Sequence, residues 1–353
     1  MRQDPHSLCV SVIIPTHNRA ALLRENVEQL WRQTLPPYLW EIIVVDNAST
    51  DETPQTAAEL GARSPCPLLY WRQDADHGPT VSRNAGARKA RGKYLAFVDS
   101  DVLLEPSWLE RAVELAEDDP ALGILGGKLL YASLPAYINS FGGAISPIGL
   151  GWDANERRPA AEVSAPEEFL WVATAAVLVR RSAYELVGGF DEAYYIAFED
   201  SDLGWRLNLC GYRCRCYPEL QAFHRVSARL RDRGPLYVYH SAKNRLRSLL
   251  KNYGLWRLAK YLPVYLGYAV ADIVLRPPRR PRLAALAWNV RAFPETLRLR
   301  RQVQRLRKRQ DAELDAFFTT TWLPPEPIAV RLRRHAELHG FAEWEKGRAT
   351  QRG

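Results

Sequence analysis

Two carboxylates one residue apart, Asp99 and Asp101, stand at the end of the apolar run Tyr94-Leu95-Ala96-Phe97-Val98. Side chains two residues apart in a turn that leaves a strand can be directed at one hard divalent cation, which prefers oxygen ligands and completes its shell with water or substrate phosphates. The other chemistry open to such a pair is local: an Asp in a turn also hydrogen-bonds its own backbone or caps the next helix. A second acidic group, Glu199-Asp200-Ser201-Asp202, opens an apolar-periodic stretch. Acids at that position are favoured by the helix dipole, and a carboxylate there could equally serve as a general base.

The elements that must position these groups are legible as alternating strands and helices. Val10 to Pro15 is β-branched and breaks at Thr16-His17-Asn18 before a helix carrying Leu23, Val27 and Leu30. Glu41 to Asp46 repeats the pattern and ends in Asp46-Asn47-Ala48-Ser49-Thr50-Asp51, which supplies caps for a helix near Thr53. A third strand over Leu68 to Trp71 leads through His77-Gly78-Pro79 into a helix bearing Arg83 and Asn84, and the fourth ends at Asp99. This alternation predicts an α/β fold with a mainly parallel sheet covered on both faces, whose ligands collect at the strands' carboxyl ends. Neither Gly-x-Gly-x-x-Gly nor a Gly-Lys-Ser/Thr phosphate loop occurs, so a phosphorylated ligand would need a metal to help hold it.

Composition narrows the class. The chain has 353 residues, 47% of them hydrophobic, enough for one large domain and an appendage. Its net charge is +8, yet residues 276–310 alone carry twelve Arg or Lys against one acid, so the remainder is net negative. Basicity confined to one segment argues against nucleic acid as a partner. Cys210, Cys214 and Cys216 lack zinc-type spacing, and five cysteines with no apolar signal core near the amino terminus predict a reducing, cytoplasmic setting. Leu255 to Leu275 is apolar but interrupted by Arg257, Lys260, Pro263 and Asp272, and basic residues follow from Arg276 to Arg309. An apolar stretch beside a cationic amphipathic one predicts peripheral binding to an anionic membrane surface; packing of the same stretch on the catalytic domain is the other expectation. The loop from Tyr131 to Pro166 is long enough for an acceptor lid.

Seven segments together carry a family resemblance: Ser11-Val12-Ile13-Ile14-Pro15-Thr16-His17-Asn18-Arg19, Val45 to Asp51, Arg83-Asn84-Ala85-Gly86, Asp99-Ser100-Asp101, Gly188-Gly189-Phe190-Asp191-Glu192, Glu199 to Leu203, and His224. In this order, over about residues 10–225, they resemble family-2 glycosyltransferases, particularly the rhamnosyltransferase-like and galactofuranosyltransferase-like branch. The resemblance implies a GT-A nucleotide-diphospho-sugar transferase fold, with a catalytic domain at 1–235 split into a nucleotide-sugar half (about 8–130) and an acceptor half (about 131–235), then a helical basic extension over 236–353. It implies a donor carrying UDP, dTDP or GDP, inversion at the anomeric carbon, a Mn2+ or Mg2+ cofactor, and a glycan or lipid-linked acceptor at the inner face of the cell membrane.

Residue by residue, the resemblance implies that Pro15, Thr16, Asn18, Asp46, Asn47, Arg83, Asp99 and Ser100 bind the nucleotide sugar, and that Asp101, Asp99 and His224 hold the metal. Asp200 is expected to be the base that takes the acceptor proton, with Trp171, Thr174, Glu199 and Asp202 toward the acceptor, although Glu199 and Asp202 could instead cap their helix. The Ala173-Thr174-Ala175 stretch departs from the family's usual small residue. A catalytically inactive membrane-bound scaffold and a sugar nucleotidylyltransferase are the alternatives. The first is opposed by the acids at Asp99, Asp101 and Asp200, the second by the lack of a Gly-rich basic loop after the first strand.

Overall fold

The computed structural model describes residues 8–225 and 234–323, so the outer ends expected for both domains lie outside the described residues. Strands β1 (Val10–Thr16), β2 (Trp40–Asp46), β3 (Leu68–Arg72) and β4 (Tyr94–Val98) alternate with helices α1 (Ala20–Leu30), α2 (Thr53–Arg63) and α3 (Pro79–Lys89). β1, β2 and β4 are buried along their whole length, as their near-continuous apolar sequences require of strands covered on both faces. β1 pairs in parallel with β2 on one side and with β4 on the other, and β3 extends β2. Because the chain reverses direction across the sheet between β1 and β4, a crevice opens at their carboxyl ends. Thr16 and Asp99 stand at that crevice.

The expectation of a mainly parallel sheet holds for this half and not for the other. After β5 (Val102–Leu104) and α4 (Trp108–Asp118) come β6 (Leu122–Tyr131), β7 (Leu134–Ser140), β8 (Gly143–Ile145), β9 (Gly151–Asp153), β10 (Glu167–Phe169) and β11 (Ala176–Arg180). β11 runs antiparallel between β4 and β6, and β12 (Arg213–His224) pairs in parallel with β6 and antiparallel with β5 and β10. The sheet is therefore mixed. The supposed lid over Tyr131 to Pro166 folds in part into strands, β7 against β6 and β8 against β9. His224 ends the twelve-residue strand β12.

One apolar layer, with Leu23, Val27, Leu60 and Leu109, fills the α1, α2 and α4 face; a second, with Ile13, Phe97, Phe190 and Leu203, fills the face covered by α3, α5 (Arg181–Leu186) and α6 (Glu199–Leu209). Helix α3 sits unusually close to β1 because Gly86 has no side chain: a Cβ there would lie 2.4 Å from Ile13 Cγ2. That approach sets how far Arg83, one turn earlier, reaches over the crevice. A third apolar layer lies under α7 (Pro235–Asn252), α8 (Leu255–Leu275), α9 (Arg279–Arg291) and α10 (Phe293–Leu306).

Candidate functional site

Three chain segments meet at the crevice. The turn after β4 brings Asp99 and Asp101, α3 brings Arg83, and the start of α6 brings Glu199 and Asp200. Arg83 is 4% exposed, and its Nη2 donates to Asp99 Oδ1 at 2.7 Å while Nη1 lies 3.8 Å from Glu199 Oε1. Its Nε and Nη1 have no hydrogen-bond acceptor, and Glu199 Oε2 has no donor. A buried guanidinium with unused N–H groups at a strand-end crevice is a site for an anion with several oxygens.

Burial works against a charge on Asp200, Glu199 adds like-charge repulsion, and Arg83 compensates only in part, so the carboxyl is pushed up to about 7. Burial likewise raises Glu199, against the pull of Arg83. A carboxylate poised near neutrality in a cleft is suited to accept a proton. The backbone that presents it is strained: Ala197 and Phe198 both have left-handed φ, at 68° and 70°. Asn244 on α7, fully buried, holds that turn by donating to the Ile196 and Ala197 carbonyls at 3.0 and 2.7 Å.

Asp101 is 5% exposed and sits between two groups. Arg19 Nη1 donates to its Oδ2 at 2.5 Å, and His224 Nε2 lies 3.6 Å from its Oδ1. Burial opposes the charge, but His224 and Arg19 outweigh it and hold the carboxyl below its ordinary value. His224 Nδ1 lies 2.8 Å from Asn139 Oδ1, which can only accept, so Nδ1 donates to it and the ring is held with Nε2 toward Asp101. An oriented imidazole beside a buried carboxylate is the donor set of a partly open divalent site.

The metal expectation needs correction on one ligand. Among the described residues no three His, Cys, Asp or Glu side chains converge on one point. Asp99 is turned to Arg83, because the guanidinium offers it a charged hydrogen bond across the crevice. Asp101 and His224 remain, and they fit an ion that takes its other ligands from a diphosphate and water.

Several nucleotide-side residues lie beneath the surface. Pro15, Thr16 and Ser100 are buried. Asp46 is fully buried; its carboxylate accepts from Ser49 N–H at 2.9 Å and Tyr70 O–H at 2.6 Å, so it secures the turn after β2 and leaves no oxygen for a base. Asn18, at φ 50°, accepts from Thr50 N–H at 2.7 Å and ties the turn after β1 to the turn after β2. Asn47 accepts from His77 N–H at 2.9 Å and donates to Asp76, pinning the loop that enters α3.

On the acceptor side three expectations fail. Asp202 has no exposed surface: its carboxylate accepts from Arg206 Nε at 2.8 Å, Lys251 Nζ at 3.0 Å and Asn252 Nδ2 at 3.1 Å. With Asp191 it supplies the negative charge of a buried network between α6 and α7, because a helix places the residue two beyond Asp200 on another face. Trp171 is 6% exposed and wedged where Cβ atoms at Gly143 and Gly204 would collide with it, and Thr174 is 2% exposed. Both belong to the packing under the site. Of the four acceptor-side residues, Glu199 alone reaches the crevice.

Residues missed in the sequence include Arg19, Asn139 and Asn244, and also Asn84. Asn84 Nδ2 donates to the Phe190 carbonyl and its Oδ1 accepts from Phe190 N–H, both at 3.0 Å, and Arg83 lies over the Phe190 ring. Arg19 and Asn84 stand within the segments that carry the resemblance but had no role assigned; Asn139 and Asn244 carry no local signal.

Residues 11–134 match the family model described as Glycosyl transferase family 2. The chain is 32% identical over 227 residues to O-antigen biosynthesis protein RfbC of Myxococcus xanthus, covering 62% of this chain and 17% of that protein. It is 31% identical over 206 residues to N-acetylglucosaminyl-diphospho-decaprenol L-rhamnosyltransferase of Mycobacterium tuberculosis, covering 52% of this chain and 66% of the relative. The chain thus spans less than a fifth of the first relative's length, at 17%. In fold it is similar to GalNAc-T7, solved with UDP, GalNAc and Mn2+, at a TM-score of 0.60 and 16% identity, over 80% of this chain and 55% of that one. The curled mixed sheet is thus that of GT-A glycosyltransferases.

Proposed function

We propose that this chain, a family-2 glycosyltransferase through its domain at residues 11–134, moves a sugar from a nucleoside-diphosphate sugar to a hydroxyl acceptor with inversion at the anomeric carbon. The observation that carries the reading is the convergence of Arg83, with its unused N–H groups, and Asp200, poised near neutrality, on one crevice. Arg83 binds a diphosphate oxygen there, and Asp99 keeps the guanidinium in place. Asp200 takes the proton from the acceptor hydroxyl as its oxygen bonds to the anomeric carbon; the bond from that carbon to the diphosphate breaks, and its electrons leave with the nucleotide. Single displacement with a base on the opposite face from the leaving group gives inversion.

Asp101 and His224 would hold a divalent ion, whose chemistry is to neutralise negative charge growing on the leaving diphosphate. GalNAc-T7, the structural neighbour, is solved with UDP and Mn2+, which supports a nucleotide donor and a divalent ion here. Relatives named for O-antigen biosynthesis and for a decaprenol-linked sugar support an acceptor in polysaccharide or glycolipid synthesis.

Calorimetric titration with UDP, dTDP and GDP, with and without Mn2+, tests the reading on the wild type and on Asp101→Ala. Metal-dependent binding of one nucleotide, lost in Asp101→Ala, is expected. A folded protein that binds none of the three with metal present would overturn it.

A further inference from the structure

Helix α8 is built inside out. Its acid and one of its bases point into the protein: Asp272 accepts from Arg282 Nε at 2.5 Å, and Arg257 donates to the Asp311 carbonyl at 3.1 Å and pairs with Asp315. Tyr265, 2% exposed, donates to the Ala242 carbonyl on α7 at 3.4 Å, and Leu258, Tyr261, Leu262 and Tyr268 pack beside it. The outer stripe is apolar instead, with Trp256 86% exposed, Val270 58%, Val274 55% and Leu275 76%, and with Pro263 and Leu266 between them. Lys260 is the one charged residue on that stripe. An ordinary surface helix has the opposite arrangement.

At 21 residues and a mean hydropathy of 1.4 the helix meets the length and composition of a membrane span. One of its faces is covered by the protein, however, so hydrocarbon could reach only the other. A cluster of exposed bases, Arg276, Arg279 and Arg280, follows directly, and α9 continues the apolar surface with Leu283 and Val290 exposed.

We infer that the outer stripe of α8, together with the start of α9, lies in the interface of an anionic lipid bilayer, with the Arg276–Arg280 cluster on the headgroups. Charge decides between a bilayer and a second copy of this chain. The stripe of a second copy offers Arg279 and Arg280 no counter-charge, its one charged residue being Lys260, whereas anionic headgroups supply one. The helix that carries the docking face is linked on its inner side to the turn before Asp200: the Arg245 guanidinium stands between the rings of Tyr268 on α8 and Phe198, 5.7 and 5.5 Å from each. An acceptor carried on a lipid would then arrive beside Asp200, a corollary that rests on the transferase reading. Vesicle binding does not depend on that reading.

The test uses the full chain and vesicles of phosphatidylcholine, with and without phosphatidylglycerol. Co-sedimentation is expected only with the anionic vesicles and should weaken at high salt. Binding should fall by about tenfold or more in Arg279→Glu with Arg280→Glu, since each base near the surface contributes on the order of 1 kcal/mol. Leu266→Glu with Val270→Glu should abolish it. Brominated lipid should quench the wild type's tryptophan fluorescence, and the part due to Trp256 should be absent in Trp256→Phe, a change too mild to unfold the chain. Overturning results are absence of sedimentation with anionic vesicles, full binding by the Leu266/Val270 variant, identical quenching in Trp256→Phe, or self-association in solution with no vesicle capture.

Discussion

The Arg19 guanidinium stands 2.5 Å from Asp101 Oδ2, on the carboxylate expected to face a divalent ion. A side-chain cation therefore already neutralises that carboxylate, and an ion binding at Asp101 and His224 must share it or move it. Arg19 is 36% exposed, so its side chain has room to swing outward. Arg19→Ala is expected to tighten binding of Mn2+ to the nucleotide-free protein about threefold to tenfold, the usual range for removing one nearby charge in a partly solvated site. Calorimetry with the metal alone checks this. Unchanged or weaker binding would show that Arg19 does not compete there.

Asp200→Asn removes the base while keeping shape. Turnover should fall about a hundredfold to ten-thousandfold, with donor affinity little changed. In the wild type kcat/KM should rise with pH through about 7, because the deprotonated carboxylate is the active form in the free enzyme. Stability runs the opposite way. The folded carboxyl holds its proton up to about 7 while the unfolded one loses it near its ordinary value, so this group's contribution falls as pH rises across that window. Asp200→Asn should therefore melt higher than wild type at pH 8, with the difference gone near pH 4. A flat kcat/KM profile would reject the assignment.

Asn244→Ala tests whether α7 positions the base. The variant removes both hydrogen bonds that hold Ile196 and Ala197 and leaves the nucleotide side untouched. Turnover should drop about ten- to hundredfold with the donor KM unchanged, the scale expected for a slightly misplaced catalytic group. A rise in donor KM with kcat preserved would contradict a positioning role.

Asp202→Ala leaves Arg206 buried without its carboxylate, while Lys251 keeps only Asp191. Breaking a buried ionic network by removing one partner costs about 3–5 kcal/mol. Urea unfolding should show that loss. A change under about 1 kcal/mol would mean that the network tolerates the missing charge.

Gly86→Ala would push a Cβ to 2.4 Å from Ile13 Cγ2 and force α3 away from β1. Overpacking of this kind costs about 1–3 kcal/mol. Since α3 carries Arg83, nucleotide affinity should fall along with the denaturation midpoint. Loss of stability with affinity intact would separate the helix's packing from its reach.

The parallel half of the fold was legible because each buried strand from Val10 to Val98 is apolar and ends on a polar turn, a local signal that burial on both faces reinforces. The antiparallel insertion of β11 was not, since Ala176 to Arg180 reads the same in either direction and its partners are distant in sequence. Within the site, Arg83 and Asp200 could be placed from their neighbours along the chain. The separation of Asp200 from Asp202 could not: the same acidic cluster sends one carboxylate to the crevice and the other into a network completed by Lys251 and Asn252, about fifty positions later. Asp99 was similarly misjudged as a metal ligand because nothing local says that Arg83 claims its carboxylate.

Asn244 lies well beyond residue 134, where the match to the transferase family ends. The turn that aims the proposed base is thus held by a helix beyond the part of the chain that the family model matches. Substitutions scattered through that outer part could retune turnover while every residue of the crevice stays the same. Two relatives with identical crevices need not be equally fast, and grafting this crevice onto another helical extension would carry over its chemistry without its rate.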